Sequence, residues 1–165
     1  HTLIENAKNA DALLAVGSGA INDLCKLAAH RLNKPYAVAA TAASMNGYAS
    51  ANASIIENGA RSSHAARLPF LVLCDLEIIC AAPIRLMRAG LGDSLARPTA
   101  QADWLLSHHL LETAYDERPF ALLAPYEPEL LDAAPALTRR DRHAMSLLMR
   151  VLLLSGLGMA IAGGS

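Results

Sequence analysis

Short apolar runs and helical periodicity alternate along the first half of the chain. Ala12-Leu-Leu-Ala-Val16 is a continuous apolar run ended by Gly17-Ser-Gly19, the pattern of a buried strand. A helix follows over residues 21–32, where Ile21, Leu24, Ala28 and Leu32 recur at helical spacing, and Asn33-Lys34-Pro35 stops it. Tyr36-Ala-Val-Ala-Ala40 then reads as a second strand, because Pro35 forbids helix continuation. A strand, helix, strand unit of this length is parallel and right-handed, with its ligand sites at the carboxyl ends of the strands. Phe70-Leu-Val-Leu-Cys74 fits a third strand of the same sheet, with Asp75 at its carboxyl end. From Ala81-Ala82-Pro83 onward the pattern is helical. Pro83 suits a first helical position, and helices are predicted over 84–96, 100–111 and 139–154, with a shorter one over 127–133. Pro119, Pro125, Pro128 and Pro135 mark the connection between them. The expected class is α/β: part of a parallel-sheet, Rossmann-like nucleotide-binding domain over residues 1–82, then part of an all-helical domain over 83–165. No internal repeat or low-complexity tract is visible.

Composition narrows this picture. Of the 165 residues 53% are hydrophobic and only 4% aromatic, and the 33 alanines and 28 leucines put the apolar mass in strong helix formers, which disfavours a β-sandwich or barrel. Fourteen basic against fifteen acidic residues give a net charge of −1, without the clustered cations that nucleic-acid binding needs. The densest basic cluster, Arg139-Arg140-Asp141-Arg142, contains its own acid at a predicted helix start and reads as a solvated face. No nucleic acid is expected as a partner. Nor is a membrane, since the longest apolar stretch, 147–164, is broken by Arg150 and by glycines. There is no basic region followed by an apolar stretch at the start, so no signal peptide is read. Cys25, Cys74 and Cys80 are odd in number and lack CxxC spacing, which suits reduced thiols and a cytoplasmic location. The chain opens on His1 and closes on Gly163-Gly164-Ser165 directly after an apolar run, so an internal portion of a longer protein is expected.

Three segments carry candidate chemistry. In Ala15-Val-Gly-Ser-Gly-Ala-Ile-Asn-Asp23, glycines between strand and helix let a phosphate approach the N–H groups and dipole of the helix N-terminus. A tight turn without ligand would use the same residues. Thr41-Ala-Ala-Ser-Met-Asn-Gly-Tyr-Ala-Ser50 puts hydroxyls, an amide and a glycine at the carboxyl end of the neighbouring strand, where a cofactor would lie across the sheet edge; a plain Ser/Thr turn is the alternative. Gly90-Leu-Gly-Asp-Ser-Leu95 places two glycines inside a predicted helix, at about 1 kcal/mol each against Ala. That suggests close approach of something to the backbone beside Asp93, a carboxylate able to ligate a divalent metal. Close helix packing with Asp93 as a surface acid is the alternative. The histidines complete no site: His108 and His109 are adjacent and point about 100° apart on a helix, and His30, His64 and His143 have no ligand-spaced partner.

Taken together, Gly17-Ser-Gly-Ala-Ile-Asn-Asp-Leu-Cys-Lys26, Lys34-Pro-Tyr36, the 41–50 segment, and Gly90-Leu-Gly-Asp93 followed by Ala102-Asp-Trp104 resemble the sn-glycerol-1-phosphate dehydrogenases. These belong to the superfamily of iron-containing alcohol dehydrogenases, glycerol dehydrogenase and dehydroquinate synthase. The resemblance runs from about Asp11 to the last residue and implies a dehydroquinate synthase-like fold. It implies that Gly17, Ser18, Gly19, Ala20, Ile21, Asn22 and Asp23 cradle the pyrophosphate of NAD or NADP. Thr41, Ala42, Ala43, Ser44 and Ser50 would line the nicotinamide side, Asn46 would contact substrate, and Asp93 would be both catalytic metal ligand and substrate neighbour. Zn²⁺ is the implied metal, with another divalent ion as an alternative. Asn46 stands where the family commonly has Asp, keeping a hydrogen bond to a hydroxyl but not the charge, and Ala43 replaces a frequent proline. The family's two metal-binding histidines lie in a segment that Gly164-Ser165 resembles the start of. The implied reaction is reversible hydride transfer reducing dihydroxyacetone phosphate to sn-glycerol 1-phosphate, a small-molecule substrate, with a possible homo-oligomer. A glycerol or other polyol dehydrogenase of the same superfamily, and a non-catalytic fragment, are the alternative readings.

Overall fold

The computed structural model describes residues 2–163. His1, Gly164 and Ser165 lie outside the described residues, and with the last two goes the expected beginning of the histidine-bearing segment.

Helix α1 (Thr2–Ala7) leads into strand β1 (Leu13–Gly17), and helix α2 (Gly19–Arg31) returns the chain to β2 (Tyr36–Ala40). The amine of Lys34 sits on the carbonyls of Ala7, Lys8 and Ala10, closing the otherwise open carboxyl end of α1. After a 3₁₀ turn (Gly47–Ala49) come β3 (Asn52–Glu57), β4 (Ala60–Ala65) and β5 (Leu71–Cys74). Strands β1, β2 and β5 form a parallel sheet in that order, in register from Leu13↔Tyr36 to Gly17↔Ala40 and from Ala37↔Leu71 to Ala40↔Cys74. The three expected strands are thus found, each within one residue of its expected start.

Central strand β2 is buried because it is flanked on both sides, while α2 covers the face that carries Leu13 and Ala15. Leu14, Val16, Leu71 and Leu73 stand exposed on the other face. The antiparallel β3–β4 hairpin was not anticipated. Its turn is Asn58-Gly59, both at positive φ (53° and 80°), the backbone that a two-residue hairpin requires.

Past β5 the described elements are helices: α3 (Leu76–Ala81), α4 (Ile84–Leu95), α5 (Arg97–Leu111), α6 (Arg118–Ala121), α7 (Glu127–Asp132), α8 (Ala134–Thr138) and α9 (Arg142–Ile161). Helix α5 begins three residues earlier than its apolar pattern, because Pro98 occupies its first turn without cost. Helix α9 differs most from expectation. It starts at Arg142, where the Asp141 carboxylate caps it by accepting from Ala144 N–H, and runs through Gly156 and Gly158 to Ile161. At 20 residues it is long and apolar enough to cross a membrane by length and composition, against the reading that its glycines and Arg150 break the run. Met145, Leu147, Leu148, Met149, Val151 and Leu152 are buried, however, and α3, α4, α6, α7 and α8 all pack on it, which makes it the central core helix of this half.

Candidate functional site

The loop after β2 is where the elements converge. Its residues 41–50 lie between α2, α4 and α9, and two helical glycines let them in. A Cβ on Gly90 would stand 2.2 Å from the Ala43 carbonyl oxygen, and one on Gly156 would stand 2.3 Å from that of Asn46. The close approach anticipated at the Gly90 segment is therefore the loop's own backbone. Gly92 has nothing within 4 Å of a built Cβ, so only Gly90 follows that argument.

The first edge of the loop meets the glycine turn. Thr41 N–H donates to the Gly17 carbonyl at 3.1 Å, and Ser18 and Ser44 share a hydroxyl contact of 2.6 Å. Tyr48 donates its phenol to the Ala42 carbonyl at 2.8 Å from a fully buried position. Because the Ser18 hydroxyl is turned to Ser44, it does not cap α2, and the first N–H groups of that helix are left without a capping side chain. Ala20 and Ile21 are on the outer surface of this first turn, whereas Gly17 is packed under Ile21, 2.7 Å from where a Cβ would stand. An uncapped helix N-terminus with Ser18 and Ser44 beside it has the chemistry that a dinucleotide's phosphates use. These residues fit such a group.

Other residues of the same motif face inward. Asn22 is fully buried and donates to Asp23 Oδ1 at 3.0 Å, while Asp23 Oδ2 accepts from Ser54 N–H at 3.1 Å, tying α2 to the hairpin. Ser50 is buried too, its hydroxyl within donating reach of the Gly47 carbonyl at 3.2 Å and the Asn52 carbonyl at 3.1 Å. Beneath it lies Lys26, whose role the sequence did not disclose. Its amine, with no exposure, donates to the carbonyls of Gly47, Ser50 and Asn52 and to Ser50 Oγ. Burial holds this amine at about 8, below the ordinary 10.5, with Asp23 opposing the shift. Asn22, Asp23, Lys26 and Ser50 thus form an internal polar clamp that shapes the loop.

The far edge of the loop opens on a cavity of about 440 Å³. Asn46 N–H donates to Asp93 Oδ2 at 2.7 Å, and its side-chain amide donates to Ser155 Oγ at 3.2 Å. Asp93, Arg97 and these two residues make the polar part of the wall, and Trp104, Phe120, Leu123 and Met159 are among its apolar part. Trp104 is fixed by donating to the Ala114 carbonyl at 2.8 Å and by edge contacts with Tyr115 and Phe120. Burial pushes the Asp93 carboxyl above the usual range, against the Asn46 hydrogen bond and the nearby Arg97 charge. Arg97 is a second residue that the sequence reading missed. Its Nη2 bonds Glu127 Oε1 at 2.6 Å, a partner 30 positions away on α7 that no local pattern reveals.

As a metal centre the donor set falls short. Asp93 contributes one carboxylate, one of whose oxygens is taken by Asn46, and among the described residues there is no group of three His, Cys, Asp or Glu able to hold an ion. The three cysteines are free.

The chain is 39% identical over 99% of its length to glycerol-1-phosphate dehydrogenase [NAD(P)+] of Methanosarcina mazei, of which it covers 46%, and 37% identical over 96% of its length to that of Thermococcus sibiricus, of which it covers 45%. It spans about half the length of the curated relatives it matches. The fold is similar to part of that of glycerol dehydrogenase from Schizosaccharomyces pombe, with a TM-score of 0.79 at 23% identity over 95% of this chain and 43% of the other. The model of the iron-containing alcohol dehydrogenase family matches residues 2–83. Residues 2–83, just under half of the chain, thus match the iron-containing alcohol dehydrogenase family, and both the glycine turn and the loop after β2 lie within that match.

Proposed function

We propose that this chain carries the cofactor-facing edge and the substrate pocket of an NAD(P)-dependent sn-glycerol-1-phosphate dehydrogenase that acts in the cytoplasm. The observation that bears most weight is the placement of one loop, residues 41–50, between the uncapped turn of α2 and the Asp93 cavity. Residues 1–82 correspond in this reading to part of the NAD(P)-binding domain and 83–165 to part of the substrate domain. Names of relatives at 37–39% identity support the activity.

The N–H groups of Gly19, Ala20 and Ile21, with Ser18, would receive the dinucleotide phosphates, where the helix dipole favours negative charge. Gly17, Asn22 and Asp23 would act by holding that turn in shape. The Thr41–Ser44 stretch would border the nicotinamide, which when bound supplies or accepts the hydride. In the reducing direction the substrate carbonyl takes the hydride and one proton, giving the secondary alcohol. Asn46 and Ser155 would hold the substrate's hydroxyls, and Asp93 would hydrogen-bond an adjacent hydroxyl. Trp104, Phe120, Leu123 and Met159 would keep water from the carbon skeleton. In this reading Asp93 is also one carboxylate ligand of a divalent ion such as Zn²⁺, but the described residues alone do not assemble the site for one.

Steady-state oxidation of sn-glycerol 1-phosphate and of glycerol by the whole protein tests the reading. A kcat/KM at least about 100-fold higher for the phosphate ester is expected. A preference for unphosphorylated glycerol would identify a polyol dehydrogenase instead.

A further inference from the structure

Arg97 is buried, at 9% exposure, in the wall of the Asp93 cavity, yet its pairing is incomplete. A guanidinium has five N–H donors. Nη2 bonds Glu127 Oε1, while Nε and Nη1 are buried and have no hydrogen-bond partner among the described residues. Cationic donors left unpaired away from water are costly, so a buried arginine held only for structure is ordinarily saturated. Glu127, by contrast, is 39% exposed in its side chain, so its carboxylate has solvent to return to. It begins the short helix α7 and is not one of the residues that line the cavity.

We propose that Arg97 is the anion anchor of this pocket: the anionic end of the substrate, a phosphate monoester, takes the guanidinium in exchange for Glu127. This rests on the dehydrogenase reading above and adds the residue that selects for charge. Electrostatics then orients the ligand. A phosphate is repelled by Asp93 and drawn to Arg97, so the hydroxyl-bearing carbons are directed towards Asn46, Asp93 and Ser155. The cavity volume of about 440 Å³ accommodates a three-carbon phosphate ester in that orientation. Glu127 serves as the internal stand-in that keeps the arginine partly paired when no anion is present.

Trp104, the single tryptophan, lines the same cavity and reports on occupancy by its fluorescence. The protein and its Arg97→Lys, Arg97→Gln and Glu127→Gln variants are titrated with sn-glycerol 1-phosphate, glycerol and glycerate. The unmodified protein should bind the phosphate ester at least about tenfold more tightly than glycerol. Arg97→Gln should lose that margin, Arg97→Lys should retain part of it, and Glu127→Gln, by removing the competing carboxylate, should tighten phosphate-ester binding about threefold. Should Arg97→Gln unfold, the Lys and Glu127 variants decide the matter. Phosphate-ester affinities within twofold across all variants would overturn the anchor, mark the Arg97–Glu127 pair as a structural tether and leave the dehydrogenase reading standing. A preference for glycerate that vanishes in Arg97→Gln would uphold the anchor and overturn the phosphate assignment. No anion-dependent change in the unmodified protein would overturn the anchor.

Discussion

Asn46 N–H and Asp93 Oδ2 are 2.7 Å apart, a hydrogen bond across 47 positions that pins the loop after β2 to the inside of α4. It sets the Asp93 carboxylate in the cavity wall with one oxygen committed to the backbone, and it orients the Asn46 side chain towards Ser155 on α9. These two bonds of Asn46 therefore couple the parallel-sheet half to both helices that frame the pocket.

Asp93→Asn should preserve the fold, because an amide oxygen can still accept from Asn46 N–H. Burial raises the Asp93 pKa, so the native state binds its proton before the unfolded chain does, and the carboxylate costs stability that is recovered as pH falls through the raised value. At neutral pH the variant should be at least as stable as the unmodified protein, with the difference shrinking in acid. In the whole protein its turnover should fall about 100-fold or more. Urea unfolding across pH, paired with steady-state rates, checks both halves.

Lys26 titrates in the opposite sense. Its folded value of about 8 lies below the ordinary 10.5, so between these pH values the unfolded chain binds more protons and stability rises with pH. Lys26→Met should abolish that rise. At neutral pH the variant should be destabilised by about 3 kcal/mol, because the Gly47, Ser50 and Asn52 carbonyls lose a shared buried donor. Denaturant midpoints of both proteins at pH 7 and pH 10 make the comparison.

The two glycines of α4 should part company. Gly90→Ala forces a methyl group against the Ala43 carbonyl and should destabilise by about 3 kcal/mol, whereas Gly92→Ala meets open space and should stabilise by about 0.5–1 kcal/mol. Thermal unfolding resolves the opposite signs.

Ser18→Ala and Ser44→Ala should each weaken NAD(P)H binding about five- to tenfold in the whole protein, because the pair sits at the open end of α2. Asp132→Ala, on α7, should leave it unchanged. Isothermal titration of the reduced cofactor provides the readout.

The sheet was legible because its strands are short apolar runs punctuated by Gly17 and Pro35, and the helical half because leucines and alanines recur at helical spacing. The β3–β4 hairpin escaped notice although Asn58-Gly59 is a strong turn signal, since Ser54, Arg61, Ser62 and Ser63 leave its strands without an apolar stripe. The start of α9 was misplaced because Arg139-Arg140 looks helical, while Arg140 takes a positive φ of 59° and reaches the Cys80 carbonyl. In the site, the Ser18, Ser44, Asn46 and Asp93 positions follow from local motifs. The partnerships of Lys26 with the 47–52 backbone and of Arg97 with Glu127 join residues 21 to 30 positions apart, and only the folded chain brings them together.

The central claim, a phosphate-selective hydride-transfer site built on the 41–50 loop, is tested most directly by reducing dihydroxyacetone phosphate with NADH or NADPH in the whole protein and determining the chirality of the product. Cofactor oxidation that yields sn-glycerol 1-phosphate is the expected result. Reduction of unphosphorylated dihydroxyacetone in preference to the phosphate, or a product of the opposite hand, would contradict it.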